Sequence, residues 1–349
     1  MNNILILNLG STSFKYELFD LLNLKSLQKG NFEIKQVEFN KTQDKIDKIF
    51  RGILREIGQI DKIKKIGHRV VHGGNIFLNT KEIKEVDLNE LEKINNLAPL
   101  HNPFNLAGIK SAIKYLPNVK NFAVFDTTFF QDLAKYVKVY PIPYEYYEKY
   151  GIKKFGFHGI SHKYAIEKAT EKLNKKINKV KIISVHLGGG CSITAFENGK
   201  AVETSMGFTP MEGLMMQTRS GDIDIGVVKE ILFQNDNNIK EVYRILNQES
   251  GLKGISQKDN YLDVLEGVKN KNQKCQLAFQ MFVLKIQKYI GAYLAILGKV
   301  DAIIFTGKIG AGKIETRKAI LKSNLFKGIK SLVIEPWEEL EIAQEIKSK

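Results

Sequence analysis

Two stretches of the chain repeat one supersecondary pattern, and this repeat restricts the fold more than any other feature of the sequence. The first is ILILNLGSTSFKYELFD at Ile4–Asp20, and the second is KIISVHLGGGCSITAFENGK at Lys181–Lys200. Each combines an apolar run, a turn rich in glycine and serine, and an alternating run, which predicts a β-hairpin. Repeated halves in a chain of 349 residues predict two similar domains. We expect each hairpin turn to face a shared cleft, where backbone N–H groups can approach phosphate.

Strand-like and helix-like segments alternate along the rest of the chain, which predicts an α/β fold. The predicted helices lie near Lys45–Ile57, Leu88–Asn96, Tyr144–Tyr150 and Gln276–Leu297, with a last helix from about Trp337. The predicted strands outside the hairpins lie near Lys65–Val71, Asn121–Asp126 and Ala302–Phe305. No low-complexity segment or long linker interrupts these segments.

Composition argues against several classes of protein. The chain has 53 Lys and Arg residues against 38 Asp and Glu, a formal net charge of +15, but no basic stripe interleaved with aromatic residues. We interpret the excess as a solvated lysine surface that steers anionic small molecules, and not as a nucleic-acid site. The first apolar run is too short for a signal peptide, and no segment approaches the roughly 18 apolar residues of a membrane helix. The two cysteines predict neither a disulfide framework nor a metal site, so we expect a cytoplasmic protein without a membrane partner.

One segment near the C-terminus fits the spacing of a phosphate-binding loop. Gly307–Lys313, within DAIIFTGKIGAGKIETRKAI, matches G-x-x-x-x-G-K. A P-loop requires Ser or Thr after the lysine, because that hydroxyl binds magnesium. Ile314 occupies the position and cannot coordinate a metal. The spacing alone therefore does not identify a P-loop NTPase.

Polar residues cluster in glycine- or proline-containing segments at the ends of predicted strands. They are Arg69 in GHRVVHGG, His101 in LAPLHNP, Asp126 in VFDTTFF, His158 and His162 in KKFGFHGISH, and Arg219, Asp222 and Asp224 in QTRSGDID. Loops after strands are where α/β proteins bind ligands. Any one of these residues alone is more often a turn residue or a helix cap. Together, the cations, carboxylates and glycine turns are typical of phosphoryl transfer.

Nine segments, in consistent order along nearly the whole chain, resemble those of acetate kinases. They are NLGSTSFKYELF, HRVVHGG, APLHNP, FDTTF, GFHGISH, HLGGGCSITAF, TSMGFTPMEGLMMQTRSGDID, KYIGAY and WEELEIA. The family belongs to the superfamily of sugar kinases, heat-shock ATPases and actin. The resemblance implies an α/β, duplicated actin-like ATPase (ribonuclease H-like) fold with two domains around a central cleft, and a homodimer.

The resemblance also implies a division of the chain. We expect a first domain at 1–149, with a C-terminal helix at 339–349 that packs back on it. The second domain, 150–338, would carry the nucleotide-side turns. The glycine-rich segment after Phe305 then corresponds to the adenosine-side turn of the family.

Individual residues acquire implied roles. Arg69 and Arg219 correspond to two arginines that bracket the transferred phosphoryl group and the carboxylate, whose oxygens a guanidinium group binds bidentately. His158 corresponds to a residue that stabilises the transition state, and His101 to a supporting histidine. Asp126 corresponds to a carboxylate that orients the acyl group or magnesium.

The resemblance implies three binding sets as well. The acyl pocket comprises Val71, Leu100, Phe157 and Pro210, with Arg69 beside it. The nucleotide and phosphate set comprises Lys15, Ser11, Ser13, His186, Gly188, Gly189, Gly190, Gly307, Lys308, Ile309 and Gly310. Asn8 and Glu338 correspond to the magnesium-associated residues, with Glu339 adjacent and manganese as the alternative ion. The implied reaction is direct in-line attack of acetate on the γ-phosphate of ATP, which gives acetyl phosphate and ADP.

The nucleotide-side segments depart from the family pattern. Gly189 replaces an asparagine, Asp259–Leu262 lacks an arginine, and Lys308–Gly312 loses Glu and Asn but gains a cation. Phe130 stands where the family commonly has His.

These departures leave alternatives open. One is the same acyl phosphorylation with another donor, such as pyrophosphate bound near Lys308 and Lys313. Another is a catalytically weakened paralogue with a binding or regulatory role. The HLGGG string, which related butyrate kinases share, leaves open a longer acyl substrate. Retention of both arginines, Asp126, His158 and Glu338 argues against a weakened paralogue. Among the donors we favour ATP, because base contacts are peripheral and apolar walls and backbone can hold a nucleotide.

Overall fold

The computed structural model describes residues 2–10, 13–34, 42–99 and 101–349. The chain divides into two compact units, each built around one mixed sheet. Unit 1 comprises Met1–Gln131, Phe157–Lys163 and Trp337–Lys349, and unit 2 comprises Asp132–Gly156 and Tyr164–Pro336. Residues 132–149 thus group with unit 2. This grouping by contacts does not test the domain boundary that we placed at 149/150, which stays a prediction.

Unit 1 contains a six-stranded sheet in the order β3-β2-β1-β4-β6-β5. Its strands are β1 (Asn3–Leu9), β2 (Ser13–Asp20), β3 (Ser26–Glu33), β4 (Ile63–Val70), β5 (Lys81–Glu82) and β6 (Lys120–Phe125). Its helices are α1 (Thr42–Ile57), α2 (Glu85–Lys93), α3 (Asn102–Tyr115), the start of α6 (Gly159–Leu173), and α14 (Glu338–Lys347).

Unit 2 contains a five-stranded sheet in the order β11-β10-β7-β8-β9. Its strands are β7 (Lys181–Leu187), β8 (Cys191–Glu197), β9 (Lys200–Thr204), β10 (Ala302–Thr306) and β11 (Ser331–Val333). Its helices, besides most of α6, are α4 (Lys135–Lys138), α5 (Glu145–Tyr150), α7 (Ile225–Gln234), α8 (Ile239–Arg244), α9 (Gly251–Ser256), α10 (Tyr261–Lys269), α11 (Gln273–Leu297), α12 (Gly307–Gly312) and α13 (Ile314–Ile320). None of the helices in the described ranges is both long and apolar enough to cross a membrane.

The two sheets repeat one topology. In unit 1, β3, β2 and β1 are antiparallel neighbours, and β4 and β6 continue the sheet parallel to β1. In unit 2, β9, β8 and β7 form the same antiparallel trio, and β10 and β11 continue parallel to β7. The predicted hairpins and the predicted duplication are therefore confirmed, and each hairpin also gains a third strand that the sequence did not predict.

The central strand of unit 1 explains why its sheet is covered on both faces. All seven residues of β1 are buried, as expected for a strand with helices on either side. Side chains of α1 pack with one apolar cluster around β1, and side chains of α14 pack with another. A Cβ on Gly67 in β4 would lie 2.7 Å from Ile342 and 2.8 Å from Ile346, so this glycine allows α14 to approach the strand closely.

Candidate active site

Four of the predicted site residues of unit 1 lie in one cluster at the edge where three parallel strands end. Asn8 lies near the end of β1, Arg69 near the end of β4, and Asp126 directly after β6. Glu338 is the first residue of α14. Because β1, β4 and β6 are adjacent and parallel, their carboxyl ends meet at one edge, where α/β proteins place ligands.

The Arg69 guanidinium group is held by carboxylates on two sides. Its Nη2 lies 2.7 Å from Asp126 Oδ2, and its Nε donates to both Asp126 oxygens at 3.2 Å. Its Nη1 lies 3.0 Å from Glu338 Oε2 and 3.4 Å from Asn8 Oδ1. Such a fork-to-carboxylate contact fixes the plane of the guanidinium group as well as its position.

Burial sets the protonation of this pair. Asp126 is only 1% exposed, and desolvation raises the pKa of its carboxyl to about 6 against the opposing effect of Arg69. Burial alone would lower the pKa of Arg69, but the charges of Asp126 and Glu338 outweigh it and raise that pKa above its ordinary value. Near neutral pH, Asp126 is therefore ionised and Arg69 is charged.

Asn8, Glu338 and Glu339 place oxygen atoms beside this pair. Asn8 Nδ2 donates to Glu338 Oε2 at 3.2 Å and to Glu339 Oε1 at 2.9 Å. Mg²⁺ takes oxygen ligands and is usually held by one or two carboxylates together with water and substrate phosphates. Among the described residues, no three His, Cys, Asp or Glu side chains are arranged to hold a metal ion by themselves. The oxygens of Asn8, Glu338 and Glu339 fit an ion whose other ligands are water and substrate phosphates.

His158 lies in a constrained turn beside Asp126. Its φ is 60°, the left-handed region, which costs a residue other than glycine roughly 1–3 kcal/mol. The next residue, Gly159, donates its N–H to the Asp126 carbonyl at 3.0 Å. A Cβ on Gly159 would lie 2.2 Å from that oxygen, so only glycine fits. The start of α6 thus ties His158 to the segment after β6.

The predicted acyl-pocket residues of unit 1 are apolar and buried. Val71 is 8% exposed and Phe157 is 1% exposed. The Phe157 ring meets the imidazole of His72 edge-on at 5.2 Å between centroids. Asn105 on α3, which the sequence did not identify, accepts from the Val71 N–H at 3.1 Å and so fixes the chain there.

The other unit 1 predictions have varied outcomes. His101 directly precedes α3, and its carbonyl accepts from the backbone N–H of Asn105 at 3.0 Å. Lys15 lies opposite Asn8 in the β1–β2 register and forms no ion pair with another described residue. Ser13 begins β2. Ser11 and Leu100 lie outside the described residues.

In unit 2, the loop that carries Arg219 contacts the second hairpin turn. The Gln217 N–H donates to the Gly189 carbonyl at 3.4 Å, and Arg219 Nη1 donates to the Pro210 carbonyl at 3.1 Å. No carboxylate of the described ranges forms an ion pair with Arg219, and burial lowers the pKa of its guanidinium group. A cation without a counter-charge of its own suits an anionic ligand.

Cys191 contributes structure and not reactivity to the turn at Gly188–Gly190. Its thiol donates to the Gly188 carbonyl at 3.5 Å. Burial raises the pKa of this thiol to about 12, so it stays protonated. His186 lies two residues before Gly188, near the end of β7, opposite Thr306 of β10.

The segment Gly307–Gly312, expected to be a turn, is a short helix, α12, so the expected conformation was wrong. Its adenosine-side role stays a prediction. Gly307 begins it with a φ of 79°, and a Cβ there would lie 2.4 Å from the Leu187 carbonyl. The start of α12 therefore packs directly against the end of β7. Arg317 Nη1 donates to the Gly310 carbonyl at 2.8 Å, which satisfies the end of the helix. Lys308 is exposed.

Comparison with known proteins assigns the family. The model of the acetokinase family matches residues 3–336. The acetate kinase of Halothermothrix orenii is 41% identical over 351 residues, which cover 94% of this chain and 88% of that protein. The crystal structure of Porphyromonas gingivalis acetate kinase matches with a TM-score of 0.86 at 31% identity, over 100% of this chain and 99% of that one. A propionate kinase from Francisella tularensis matches with a TM-score of 0.90 at 34% identity, over 99% of both chains.

These neighbours and the repeated sheet topology confirm the predicted duplicated actin-like ATPase fold. The family match extends over both units, from the first strand of unit 1 to the last strand of unit 2. The chain belongs to the acetokinase family.

Proposed function

We propose that this chain is an acetate kinase, which transfers the γ-phosphoryl group of ATP to acetate. The observation that carries the proposal is the cluster in which buried Asp126 holds Arg69 beside Glu338. It provides a fixed cation and carboxylate oxygens at a strand edge, as phosphoryl transfer requires. Family membership supports the same class of reaction.

In the proposed step, an acetate oxygen attacks the γ-phosphorus and the bond to the β–γ bridging oxygen breaks, so ADP leaves with that electron pair. Arg69 and Arg219 neutralise the acetate and the phosphoryl oxygens. His158 donates a hydrogen bond to an oxygen of the phosphoryl group during its transfer. Asp126 keeps the Arg69 guanidinium plane fixed, so little reorganisation is needed as charge develops.

Asn8, Glu338 and Glu339 are the residues that would hold Mg²⁺, or Mn²⁺ in its place. Their oxygens match the preference of these ions, and the positive end of α14 favours the two glutamates at its first turn. When bound, the ion would neutralise charge on the nucleotide phosphates. Lys15, Ser13 and the glycine segments at 188–190 and 307–310 are proposed to contact the nucleotide.

The acceptor proposed is acetate because Val71 and Phe157 are apolar and buried, and the family resemblance implies that they line a small pocket for the acetate methyl group. A pocket of this kind separates substrates that differ by one methylene by about 1–3 kcal/mol. Propionate is therefore expected to be a poorer substrate. The similar Francisella tularensis structure is named a propionate kinase, so acceptors of both lengths have to be compared.

A homodimer is the proposed assembly. Helix α7 of unit 2 has no buried residue although it is largely apolar, with Ile225 80% exposed and Phe233 56% exposed. Exposed apolar patches of this kind mark interaction sites, and the family resemblance implies that the partner is a second copy. Light scattering on the wild type and on Ile225→Asp tests this, because the charge should produce monomers. The cytoplasmic location expected from the sequence stays a prediction.

The experiment that tests the function is acetyl phosphate formation, trapped with hydroxylamine, from acetate and Mg²⁺ with ATP or pyrophosphate. We expect product with ATP. Product with pyrophosphate alone would show that pyrophosphate, and not ATP, is the phosphoryl donor. No product with either donor would contradict the proposal. A parallel series with propionate and butyrate determines the acceptor.

A further inference from the structure

Two helices of unit 1 begin at the cluster described above. His158 directly precedes α6, and Glu338 is the first residue of α14. Any contact that fixes α14 against α6 therefore also fixes the distance between these two side chains. Phosphoryl transfer is sensitive to such distances, because catalysis there rests on positioning.

Lys163, in the second turn of α6, contacts two carboxylates of α14. Its Nζ lies 2.7 Å from Glu341 Oε1 and 3.0 Å from Glu345 Oε2. Glu341 is buried, with a side chain only 2% exposed, and Lys163 is 33% exposed. Burial alone would lower the pKa of Lys163, but the two carboxylates outweigh it and raise that pKa, so the amine stays charged.

The spacing of the two acceptors fixes the register of α14. Glu341 and Glu345 are four residues apart and lie on the same face in successive turns. A cation between the two carboxylates resists sliding of the helix along its axis, because sliding would separate the charges. Apolar packing is not directional and restrains such sliding less. Apolar contacts join the same two helices, since Ile160 of α6 packs in one cluster with Ile342 and Ile346.

Other polar contacts join α14 to the rest of unit 1. Asn8 and Arg69 contact Glu338 in its first turn. Thr80 donates to Glu345, and Lys65 Nζ donates to the Ile346 and Lys347 carbonyls at 3.1 and 2.8 Å. The contacts of Thr80 and Lys65 lie in the second half of the helix, whereas Lys163 also contacts its middle through Glu341. Lys163 thus connects the helix of His158 to the helix of Glu338 by charge.

We propose that Lys163 is a positioning residue for the phosphoryl-transfer site. Acting through Glu341 and Glu345, it keeps Glu338 and Glu339 at the distance from Arg69 and Asn8 that the metal requires. It touches neither substrate nor metal. The inference rests on the proposed function, because it presumes that Glu338 serves the reaction.

The chain contains its own reporter for the position of α14. Trp337, the only tryptophan of the sequence, directly precedes the helix. Its Nε1 donates to Glu17 Oε2 at 2.9 Å, and its ring lies 6.2 Å from that of Phe19. Tryptophan emission therefore reports the start of α14 without depending on turnover.

The experiment compares Lys163→Met with Lys168→Met in the full-length protein. Lys168 is on the same helix but pairs with Glu171 of α6 itself, so it is a matched control. For Lys163→Met we expect kcat about 10- to 100-fold lower and the Mg²⁺ half-saturation concentration raised about 10-fold, with the acetate KM within about twofold. We also expect stronger acrylamide quenching of Trp337. Lys168→Met should match the wild type, and Lys163→Arg should recover most of the loss.

A purely structural role would give another result. The melting temperature of Lys163→Met would fall, while kcat, the Mg²⁺ half-saturation concentration and Trp337 quenching of the folded protein stayed at wild-type values, and this would overturn the proposal. Should Lys163→Met not fold, Glu341→Gln carries the same measurements, because it keeps the side-chain volume. If the wild type forms no acetyl phosphate, that result contradicts the proposed function instead. Mg²⁺ titrations followed by Trp337 emission would then still test the positioning role of Lys163.

Discussion

At the scale of one residue, the burial and charge of Asp126 fix the position of the Arg69 guanidinium group and keep it charged. The carboxyl group is buried, yet it contacts the Arg69 guanidinium group through both oxygens. Removing Arg69 would leave the buried Asp126 carboxylate without a counter-charge. An Arg69 variant would therefore lose stability as well as activity, and the two losses could not be separated. Arg219 lacks such a partner among the described residues, which makes it the cleaner position for mutation.

The pH dependence of the reaction follows from Asp126. Because the pKa of this carboxyl is raised to about 6, it takes up a proton in the folded protein as the pH falls through that value, and Arg69 then loses its counter-charge. We expect kcat/KM to fall on the acid side with an apparent pKa near 6. Rates measured from about pH 5 to about pH 8 check this. The residual rate of Asp126→Asn should not fall on the acid side. A wild-type profile without an acid-side fall near pH 6 would contradict the role of Asp126.

The acyl pocket gives a second prediction at this scale. Val71→Ala should enlarge the pocket and shift the ratio of kcat/KM for propionate over acetate upward by about 10-fold. Val70→Ala is the control, because Val70 belongs to the core of unit 1 and loses the same atoms there. It should cost stability and leave the ratio unchanged. An unchanged ratio in Val71→Ala would show that the pocket lies elsewhere.

At the scale of elements, the contact between α12 and β7 constrains the nucleotide side. Gly307→Ala would place a methyl group 2.4 Å from the Leu187 carbonyl at a φ of 79°, so we expect a loss of about 1–3 kcal/mol in stability and a higher KM for ATP. Gly312→Ala, at the end of the same helix, is the matched control, since its Cβ would meet nothing within 4 Å. Chemical denaturation and ATP kinetics of the two variants decide. Equal effects would contradict the packing described here.

The strand pair β4–β6 has its own pH dependence. His68 is buried, and its Nε2–H donates to Asn121 Oδ1 at 2.8 Å. Burial lowers the pKa of this imidazole from 6.5 to about 4, so the unfolded chain takes up a proton at a higher pH than the folded one. The contribution of neutral, buried His68 to stability is therefore complete above pH 6.5 and is lost as the pH falls toward 4.

The loss amounts to about 3 kcal/mol in the free energy of unfolding. Urea denaturation between neutral and mildly acidic pH, compared with His68→Gln, measures it. Glutamine keeps a donor for Asn121 but does not titrate, so its stability should fall less over that range. A parallel decline in both proteins would contradict this account.

Some elements were predictable from the sequence because their signals are local. The apolar run of β1 ends in a turn and fixes the hairpin, and its repeat at β7 fixes the duplication. β3 was missed because its residues alternate between half-buried and exposed and include Lys29 and Gly30. α3 was missed because it buries the polar Asn102 and Asn105, which obscures an apolar stripe.

The candidate site divides in the same way. Arg69, Asp126 and Glu338 stand in recognisable segments, whereas the hydrogen bonds from Asn8 to both glutamates of α14 join the two ends of the chain. Such a contact has no local sequence signal. The helix at Gly307–Gly312 was expected to be a turn because the segment resembles the adenosine-side turn of the family. Arg317 accounts for part of the stability of the helix, since it donates to the Ala311 carbonyl.

At the scale of the whole molecule, the predicted catalytic residues divide between the two units. Unit 1 supplies Arg69, Asp126 and Glu338, and unit 2 supplies Arg219.

The most direct test is the transfer of label from ATP, radiolabelled in its γ-phosphate, to acetyl phosphate by the wild type and by Arg219→Ala. Removal of Arg219 leaves no ion-paired carboxylate behind, so the fold should survive. We expect acetate- and Mg²⁺-dependent label transfer in the wild type, and a rate about 1,000-fold lower in Arg219→Ala with an unchanged melting temperature. No labelled acetyl phosphate from the wild type, or a near-wild-type rate in Arg219→Ala, would contradict the account.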